Sequence, residues 1–509
     1  MFEAIELGHR VSKSEFTAAE AELRTRLLTV QRQLRKANVP VVILVNGVEG
    51  AGKSEVTNRL SAWLDTRGLV THTFWSETDD ERERPGHWRF WQRLPERGQI
   101  AVFFGSWYTY PIVERVFGRM DEHIFLRAMN RINDLERMLA VDGTLIIKLW
   151  FHISKADQDK RLAKLAKQNG KGKDARKPTP WEHAFAKQYD TFARVAESAI
   201  RSTDSGACPW HLIESQNKRY RDLTAGRVIL AACEARVAET GRIRDATPNV
   251  VPVEDESSAI PVPQRTILDT VDLSSALPAN TYRAELAKYQ RRLGAAVWEA
   301  WSKGIASVAV FEGWDAGGKG GAIRRVTAAM DARLYRVIPI AAPSQEELAH
   351  HYLWRFWKHV PRDGYFRIFD RSWYGRVLVE RVEGFASPAE WRRSYREITH
   401  FERQLTEHGV VVTKFWLHLS QEEQLRRFEE RQQTPWKLHK ITDEDWRNRD
   451  KWDAYAQAVG DMVTRTTSAE APWVIVPGDD KRFARVQVVK TLTTRLEDAL
   501  AKHAKEAKG

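Results

Sequence analysis

Two glycine-rich segments have residue types and spacing suited to binding phosphate. The first, GVEGAGKS from Gly47 to Ser54, matches the P-loop pattern at every fixed position. Backbone amides of such a loop surround phosphate oxygens at the positive end of the following helix, and Lys53 would reach the outer phosphates. A purely structural turn is the alternative, but the position of the segment between an apolar run and a helical stretch favours a phosphate site.

The second segment, GWDAGGKGG from Gly313 to Gly321, is a variant of the same loop. Gly320 stands where the pattern has the hydroxyl residue that contacts magnesium. Asp315 offers a carboxylate inside the loop instead, and Mg²⁺ is a hard cation that prefers oxygen ligands. The other possibility is that Asp315 only caps the backbone of its own loop.

Asp370 and Arg371 follow the apolar run FRIF, where a metal-binding carboxylate at the tip of a strand is expected. The acid can hold Mg²⁺, and the adjacent guanidinium can bind a phosphate and neutralise charge on the transferred group. The corresponding residues of the first half are Phe104 and Gly105. We therefore predict that the second half carries the chemistry, while the first half at most binds an anion.

A basic segment at 424–446, QLRRFEERQQTPWKLHKITDEDW, predicts a mobile helical lid. Several cations closing over a phosphate chain would exclude water and organise in-line transfer. The alternative is a solvated helical face with charge pairs between residues four apart. The cations of this segment are Arg426, Arg427, Arg431, Lys437 and Lys440.

These motifs belong to an internal repeat that organises the chain. A shift of 266 residues superimposes Gly47, Gly52 and Lys53 on Gly313, Gly318 and Lys319, and it also aligns the WRFW, SWY and ERV motifs. A run rich in Pro and small polar residues separates the two copies. The predicted organisation is an N-terminal domain at 1–240, a linker at 241–265 and a C-terminal domain at 266–509.

Each copy begins with a helical stretch, and an apolar run then leads into its glycine-rich loop. Later apolar runs alternate with helical stretches, which is typical of parallel β-α-β units. The predicted fold class is α/β, with two tandem P-loop kinase-like domains, each a mostly parallel sheet flanked by helices. The predicted strands are 41–45, 100–104, 145–150, 308–311, 366–369 and 410–419.

Composition indicates a globular protein of two domains, because the 509 residues are 42% hydrophobic and 29% charged. Two cysteines, Cys208 and Cys233, are too few for a disulfide framework and are expected to be buried in a protein of a reducing compartment. No segment has the pattern of a signal peptide or a membrane span, so we expect a cytoplasmic location. The net charge of +12 favours a polyanionic partner, although basic residues could also simply solvate the surface.

Four motifs that occur in order resemble the polyphosphate kinase 2 family. They are GWDAGGKGG, LWRFWKHVPRDG, FDRSWYGRVLVERV and KFWLHLSQEEQLRRF. The duplicated layout resembles the fused two-domain branch of that family, with the catalytic motifs in the second half. The resemblance implies Mg²⁺-assisted transfer of the terminal phosphoryl group of inorganic polyphosphate to AMP, giving ADP, with no covalent enzyme intermediate.

The resemblance also implies roles for individual residues. Asp315 and Asp370 would hold metal, and Lys319 and Arg371 would hold phosphates. Glu380 would complete the catalytic set by holding a second metal or by placing the acceptor. The further phosphate-binding residues would be Gly313, Gly318 and Gly320 of the loop and Arg427 and Arg431 of the lid.

Other functions are compatible with parts of the sequence. The acceptor could be ADP or a guanine nucleotide, and the donor could be ATP, because a P-loop alone does not name the donor. A basic nucleic-acid-binding protein could stack bases on its 20 tryptophans, but the WRFW and SWY tryptophans recur in one register in both copies, so most fit core positions better. We expect no nucleic acid or membrane partner, and we expect a homo-oligomer because symmetric assembly is common.

Overall fold

The computed structural model describes residues 1–168, 180–245, 266–434 and 443–506. The chain divides into two compact units, each made of one copy of the repeat with a short segment of the other. The first unit comprises Met1–Glu77, Arg89–Asp255 and Gln345–His351, and the second comprises Thr78–Trp88, Glu256–Ser344 and Tyr352–Gly509. Of the predicted linker, residues 241–245 belong to a helix, and residues 246–265 lie outside the described ranges.

Within the described residues each unit contains a five-stranded sheet whose paired strands are all parallel. The first sheet consists of β1 Val41–Gly47, β2 Leu69–Thr73, β3 Ile100–Phe104, β4 Leu145–His152 and β5 Trp210–Glu214. The second consists of β6 Ser307–Gly313, β7 Tyr335–Pro339, β8 Phe366–Asp370, β9 Val411–His418 and β10 Trp473–Pro477. The orders β2-β3-β1-β4-β5 and β7-β8-β6-β9-β10 are equivalent, which confirms the tandem α/β fold.

The helices of the two halves correspond one to one in chain order. Those of the first half are α1 Lys13–Lys36, α2 Lys53–Trp63, α3 Asp79–Arg82, α4 Trp88–Trp91, α5 Thr109–Val116, α6 Glu122–Val141, α7 Lys155–Gln168, α8 Pro180–Lys187, α9 Tyr189–Thr203 and α10 Lys218–Asp245. Those of the second half are α11 Ala279–Ser302, α12 Lys319–Thr327, α13 Gln345–Leu348, α14 Trp354–Trp357, α15 Val379–Val382, α16 Pro388–Glu407, α17 Gln421–Gln432, α18 Asp443–Asp450, α19 Trp452–Thr466 and α20 Lys481–Glu506. The central strands β1 and β6 therefore each lead through a glycine-rich loop into a helix, α2 or α12.

A buried lysine network explains why several polar and aromatic residues recur in the repeat. Lys414 on β9 donates to the Glu402 carboxylate at 2.7 Å, to the Tyr374 hydroxyl at 2.9 Å and to the Thr466 carbonyl at 2.8 Å. The indole of Trp373 donates to the same carboxylate at 3.0 Å. The first unit repeats these contacts with Lys148, Glu136, Tyr108, Thr203 and Trp107. The SWY tryptophans are therefore core residues, as predicted.

The two cysteines are free and buried, which confirms their prediction as plain core residues. Burial raises the pKa of each thiol, Cys208 and Cys233, to about 12, so neither is a reactive nucleophile. Along the described ranges, none of the helices combines the length and the apolar character that crossing a bilayer requires.

Candidate active site

A cleft of about 750 Å³ opens in the second unit at the carboxyl ends of β6 and β8. Parallel strands end at the same edge of their sheet, so the loop after β6 and the acid at the end of β8 meet there. The basic residues that line the cleft are Lys319, Arg324, Arg371, Arg427, Arg431, Lys481 and Arg485. The acidic ones are Asp315, Asp370, Glu430 and Asp445. This excess of cations favours a polyanionic ligand.

The loop between β6 and α12 has the backbone geometry of a phosphate cradle. Gly313 ends β6 with a φ of 151°, and a Cβ at this position would lie 2.6 Å from the Leu417 carbonyl oxygen, so the position requires glycine. Gly318, with a φ of 99°, is the N-cap of α12, which directs the first backbone amides of the helix toward the cleft. The Lys319 ammonium donates back to the carbonyls of Gly313 at 2.6 Å and Trp314 at 3.2 Å, and burial lowers the pKa of this lysine.

Four of the five predicted catalytic residues come together in this cleft. Asp315 accepts a hydrogen bond from Arg371 at 3.4 Å, and Asp370 and Lys319 border the same space. Arg371 has a φ of 64°, a left-handed conformation that is costly for a residue with a Cβ and that often marks functional sites. The loop and the end of β8 thus bring two carboxylates and two cations to one cleft.

Glu380, the fifth predicted catalytic residue, is not one of the described residues that line the cleft. It lies in the short helix α15 and pairs with Arg376 at 2.8 Å, and burial raises the pKa of its carboxyl group. Its proposed contact with a second metal or with the acceptor stays a prediction. Gly313 is also absent from the cleft lining, because it forms the base of the loop.

Arg427 is buried beneath the loop, and its guanidinium braces the backbone there. It donates to the carbonyls of Ala316 at 2.9 Å, Gly478 at 2.5 Å and Asp479 at 3.0 Å. In the first unit, Arg161 makes the equivalent bonds to the carbonyls of Gly50, Ser215 and Gln216. A contact repeated in both units is best explained by loop support. Direct phosphate binding by Arg427, which also borders the cleft, stays a prediction.

The remaining lid residues are only partly described. Arg431, on α17, borders the cleft, and burial lowers the pKa of its guanidinium. Arg426 pairs with Glu423 at 2.7 Å on the exposed side of the same helix, as the alternative interpretation of a solvated face anticipates. Lys437 and Lys440 lie outside the described residues, between α17 and α18.

Sequence reasoning missed Glu312, a buried residue of β6 that directly precedes Gly313. Its carboxylate accepts a hydrogen bond from the Ser372 hydroxyl at 2.8 Å. Burial raises the pKa of this carboxyl group overall, although the Ser372 hydrogen bond and the nearby charges of Lys319 and Arg371 act in the opposite direction. The available signal was an ionisable residue inside the apolar run that precedes Gly313. Asn46 replaces it in the first unit and accepts the equivalent bond from Ser106 at 3.0 Å.

The P-loop of the first unit is closed by its own side chains. Lys53 pairs with Glu49 at 3.1 Å and donates to the carbonyls of Gly47 and Val48, both at 3.0 Å. The two carbonyl bonds repeat those of Lys319 in the second unit, so the pairing with Glu49 is what distinguishes the lysine of the first unit. This carboxylate is the one that corresponds to Asp315 in the second unit.

A buried arginine fills the space beside the same loop. Arg221 donates to the Ala51 carbonyl at 3.2 Å and pairs with Glu55 and Asp222. A Cβ on Gly52 would lie 1.5 Å from Arg221 Nη1, which shows how closely the guanidinium packs there. The segment KRYRD at 218–222 aligns with KRFAR at 481–485 in the second unit. Ala484 therefore occupies the position of Arg221, and it lines the open cleft.

The parallel sheet order, the glycine-rich loop into α12 and the acid at the end of β8 define a P-loop phosphotransferase class of fold. Residues 10–241 and 276–504 match the polyphosphate kinase 2 (PPK2) family. Because these matches include both copies and most of the chain, the protein belongs to the polyphosphate kinase 2 family.

Relatives of known name match over nearly the whole chain. The chain is 45% identical to a polyphosphate:AMP phosphotransferase of Pseudomonas aeruginosa, with 99% of this chain and 100% of the relative covered. It is 36% identical to one of Acinetobacter johnsonii, with 90% and 91% covered. A crystal structure assigned to polyphosphate kinase 2 from Pseudomonas aeruginosa PA01 is similar with a TM-score of 0.86 and 44% identity, covering 99% of this chain and 100% of that one.

Proposed function

We propose that the second unit transfers the terminal phosphoryl group of inorganic polyphosphate to AMP, giving ADP. The observation that carries this proposal is the joint placement of Asp315, Lys319, Asp370 and Arg371 in a basic cleft at the glycine-rich loop. A cleft of that charge suits a polyanionic donor and a phosphate acceptor together. The full-length relatives named polyphosphate:AMP phosphotransferase support AMP as the acceptor.

The proposed step is a direct in-line displacement. An oxygen of the AMP phosphate attacks the terminal phosphorus of polyphosphate, a new P–O bond forms, and the terminal phosphoanhydride bond breaks. The bonding electrons leave with a polyphosphate chain that is one phosphate shorter. Lys319 and Arg371 offset charge on the transferred group, and the loop amides at the start of α12 orient it.

The donor set at the loop fits Mg²⁺. In the part of the chain that the structure describes, no group of three or more His, Cys, Asp or Glu side chains is arranged to hold a metal. Asp315 and Asp370 both border the cleft, and Mg²⁺ typically takes one or two protein carboxylates together with phosphate oxygens and waters. Asp315 and Asp370 would hold Mg²⁺ there, and the ion would supply positive charge that offsets the charge of the phosphate groups.

We further propose that residues 1–240 form a domain without phosphotransferase activity. Phe104 and Gly105 replace the carboxylate and the arginine of the second unit. In addition, Lys53 is engaged by Glu49, and Arg221 packs against Gly52. These contacts support a first unit whose loop is closed to phosphate by cations of the protein itself.

The test is ADP formation from AMP and long-chain polyphosphate with Mg²⁺, beside an identical reaction in which ATP replaces polyphosphate. Product with polyphosphate but not with ATP is expected. Product with ATP alone would indicate an ordinary ATP-dependent nucleotide kinase. No product in either reaction would show that AMP is not the acceptor. Parallel reactions with ADP and GDP as acceptors measure the preference for AMP directly.

A further inference from the structure

The Asp315 carboxylate has a neutral hydrogen-bond donor in addition to Arg371. The side-chain amide of Asn448 donates to Asp315 Oδ2 at 2.9 Å, whereas Arg371 Nη2 lies 3.4 Å from Asp315 Oδ1. The hydroxyl of Tyr455 in turn donates to Asn448 Oδ1 at 3.2 Å. Because a carboxylate only accepts hydrogen bonds, this arrangement requires the amide nitrogen to face Asp315 and leaves the amide oxygen for the hydroxyl.

A stack of two indole rings packs the start of α19 against the glycine-rich loop. Trp314, which precedes Asp315, stacks on Trp452 with ring centroids 3.7 Å apart and planes within 8°. Asn448 belongs to α18, and Trp452 begins α19. The stack and the hydrogen bond therefore attach these two helices to adjacent residues of the glycine-rich loop, and α18 includes the last residues of the predicted lid segment.

The first unit provides an internal comparison. Helices α8 and α9 have the same lengths as α18 and α19, so Phe185 and Phe192 occupy the positions of Asn448 and Tyr455. The two phenylalanine rings contact each other edge to face, with centroids 5.6 Å apart. Glu49 of that unit pairs with its own P-loop lysine. The polar pair Asn448 and Tyr455 thus occurs in the second unit, which also has Asp370 at a strand end. In the first unit two phenylalanines replace this pair.

We propose that Asn448, oriented by Tyr455, is a positioning residue that holds the Asp315 carboxylate toward the cleft. The amide is neutral, so it orients the carboxylate without cancelling the negative charge that attracts a divalent cation. A lysine or arginine at position 448 would cancel that charge. The inference rests on the proposed function, in which Asp315 binds metal. Removing such a supporting partner typically weakens metal binding by about 10-fold to 100-fold.

Two variants test the proposal against metal binding rather than activity alone. Asn448→Leu removes the donor at similar size, and Tyr455→Phe removes only the hydroxyl and keeps the buried ring. We expect Asn448→Leu to raise the Mg²⁺ concentration for half-maximal ADP formation about 10-fold. Saturating Mg²⁺ should restore turnover, and the KM for AMP should stay unchanged. Tyr455→Phe should show a smaller shift in the same direction, which keeps the test decisive if Asn448→Leu does not fold.

Mn²⁺ binding to the enzyme without substrates, followed by the EPR signal of free Mn²⁺, gives a second readout. Asn448→Leu should weaken this binding, whereas Phe192→Tyr in the first unit serves as the matched control and should not. Unchanged Mn²⁺ affinity in Asn448→Leu, or lost turnover that saturating Mg²⁺ does not restore, would overturn the positioning role.

Asp315→Asn separates this inference from the proposed function. If Asp315→Asn weakens Mn²⁺ binding and Asn448→Leu does not, the positioning role is wrong and the metal role of Asp315 stands. If Asp315→Asn leaves Mn²⁺ binding unchanged, both the metal role and the positioning role are wrong. ADP formation by the wild-type enzyme, measured separately, reports on the transfer reaction itself.

Discussion

Arg371 and Gly105 occupy the same position of the two repeats and have nearly the same left-handed backbone, with φ values of 64° and 76°. Glycine adopts this conformation without strain, whereas a residue with a Cβ pays roughly 1–2 kcal/mol for it. The second unit therefore tolerates strain at the end of β8 to place a guanidinium beside Asp315. The first unit has the relaxed residue and no guanidinium there.

Arg371→Gly should separate stability from activity. We expect its melting temperature to be similar to or slightly above that of the wild type, because strain is relieved while the unfolded chain gains freedom. Turnover should fall by roughly 100-fold or more, since the charge that stabilises the transferred group is lost. Arg371→Lys is the matched control, because it keeps the Cβ and the charge but not the planar fork. Undiminished turnover in Arg371→Gly would contradict the role of the guanidinium.

The two P-loop lysines allow a matched test of which unit carries the chemistry. Lys319→Ala and Asp370→Asn should each reduce ADP formation by roughly 100-fold or more, because both side chains border the cleft. Lys53→Ala should leave turnover largely unchanged, since Lys53 is paired with Glu49. The measurement is steady-state ADP formation on variants whose circular dichroism matches the wild type. Equal losses in Lys319→Ala and Lys53→Ala would show that both units contribute.

Strands and loops were predictable because their signals are local. Apolar runs of the right length predicted β1, β3, β4, β6, β8 and β9, although β1 and β6 each extend farther, to Gly47 and Gly313. The edge strands β2, β5, β7 and β10 were missed. In Leu69–Thr73 most positions are exposed or half-buried, so the apolar signal is weak.

Site residues were predictable from sequence only where they belong to a local motif whose residue types suit phosphate or metal binding. Asp315 and Asp370 stand out by position within a loop or at a strand end. The contacts of Asn448 and Arg221 join residues far apart in sequence, 133 residues in the case of Asn448 and Asp315, so no local pattern predicts them. The comparison of the two repeats supplies part of the missing signal. At one repeat position the first unit has Arg221, which packs against its loop, and the second unit has Ala484, which lines the open cleft.

The matched arginines Arg427 and Arg161 allow loop bracing to be distinguished from phosphate binding. Each donates to three backbone carbonyls, so either alanine variant should lower the free energy of unfolding by about 1–3 kcal/mol. Only Arg427→Ala should also reduce turnover, because its loop is the one in the catalytic unit. Denaturant unfolding and ADP formation measure the two effects, and unchanged stability in both variants would rule out bracing.

Arg431→Ala complements that pair. Arg431 borders the cleft on the same helix as Arg427, and we expect its loss to raise the KM for polyphosphate with little change in the unfolding midpoint. Arg426→Ala, on the exposed side of the helix, is the control that should change neither. A KM for polyphosphate that is the same in Arg431→Ala and the wild type would contradict the predicted contact with the phosphate chain.

His418 should make the stability of the second unit depend on pH. Its buried ring accepts a hydrogen bond from the Trp314 indole at 3.0 Å, and burial lowers the pKa of His418 from 6.5 to about 4. Between these values the unfolded chain binds a proton that the folded chain does not, so the free energy of unfolding falls as the pH drops from 6.5 toward 4. The slope from this one group is at most about 1.4 kcal/mol per pH unit.

The variant His418→Asn keeps an acceptor for the Trp314 indole and removes the titrating group. We expect it to be less stable than the wild type at pH 7.5 and to lose that disadvantage progressively as the pH is lowered to 4.5. Denaturant midpoints across this range measure the difference, and His503→Asn, near the exposed end of α20, is the control. A stability difference between His418→Asn and the wild type that does not change with pH would show that His418 does not titrate in this way.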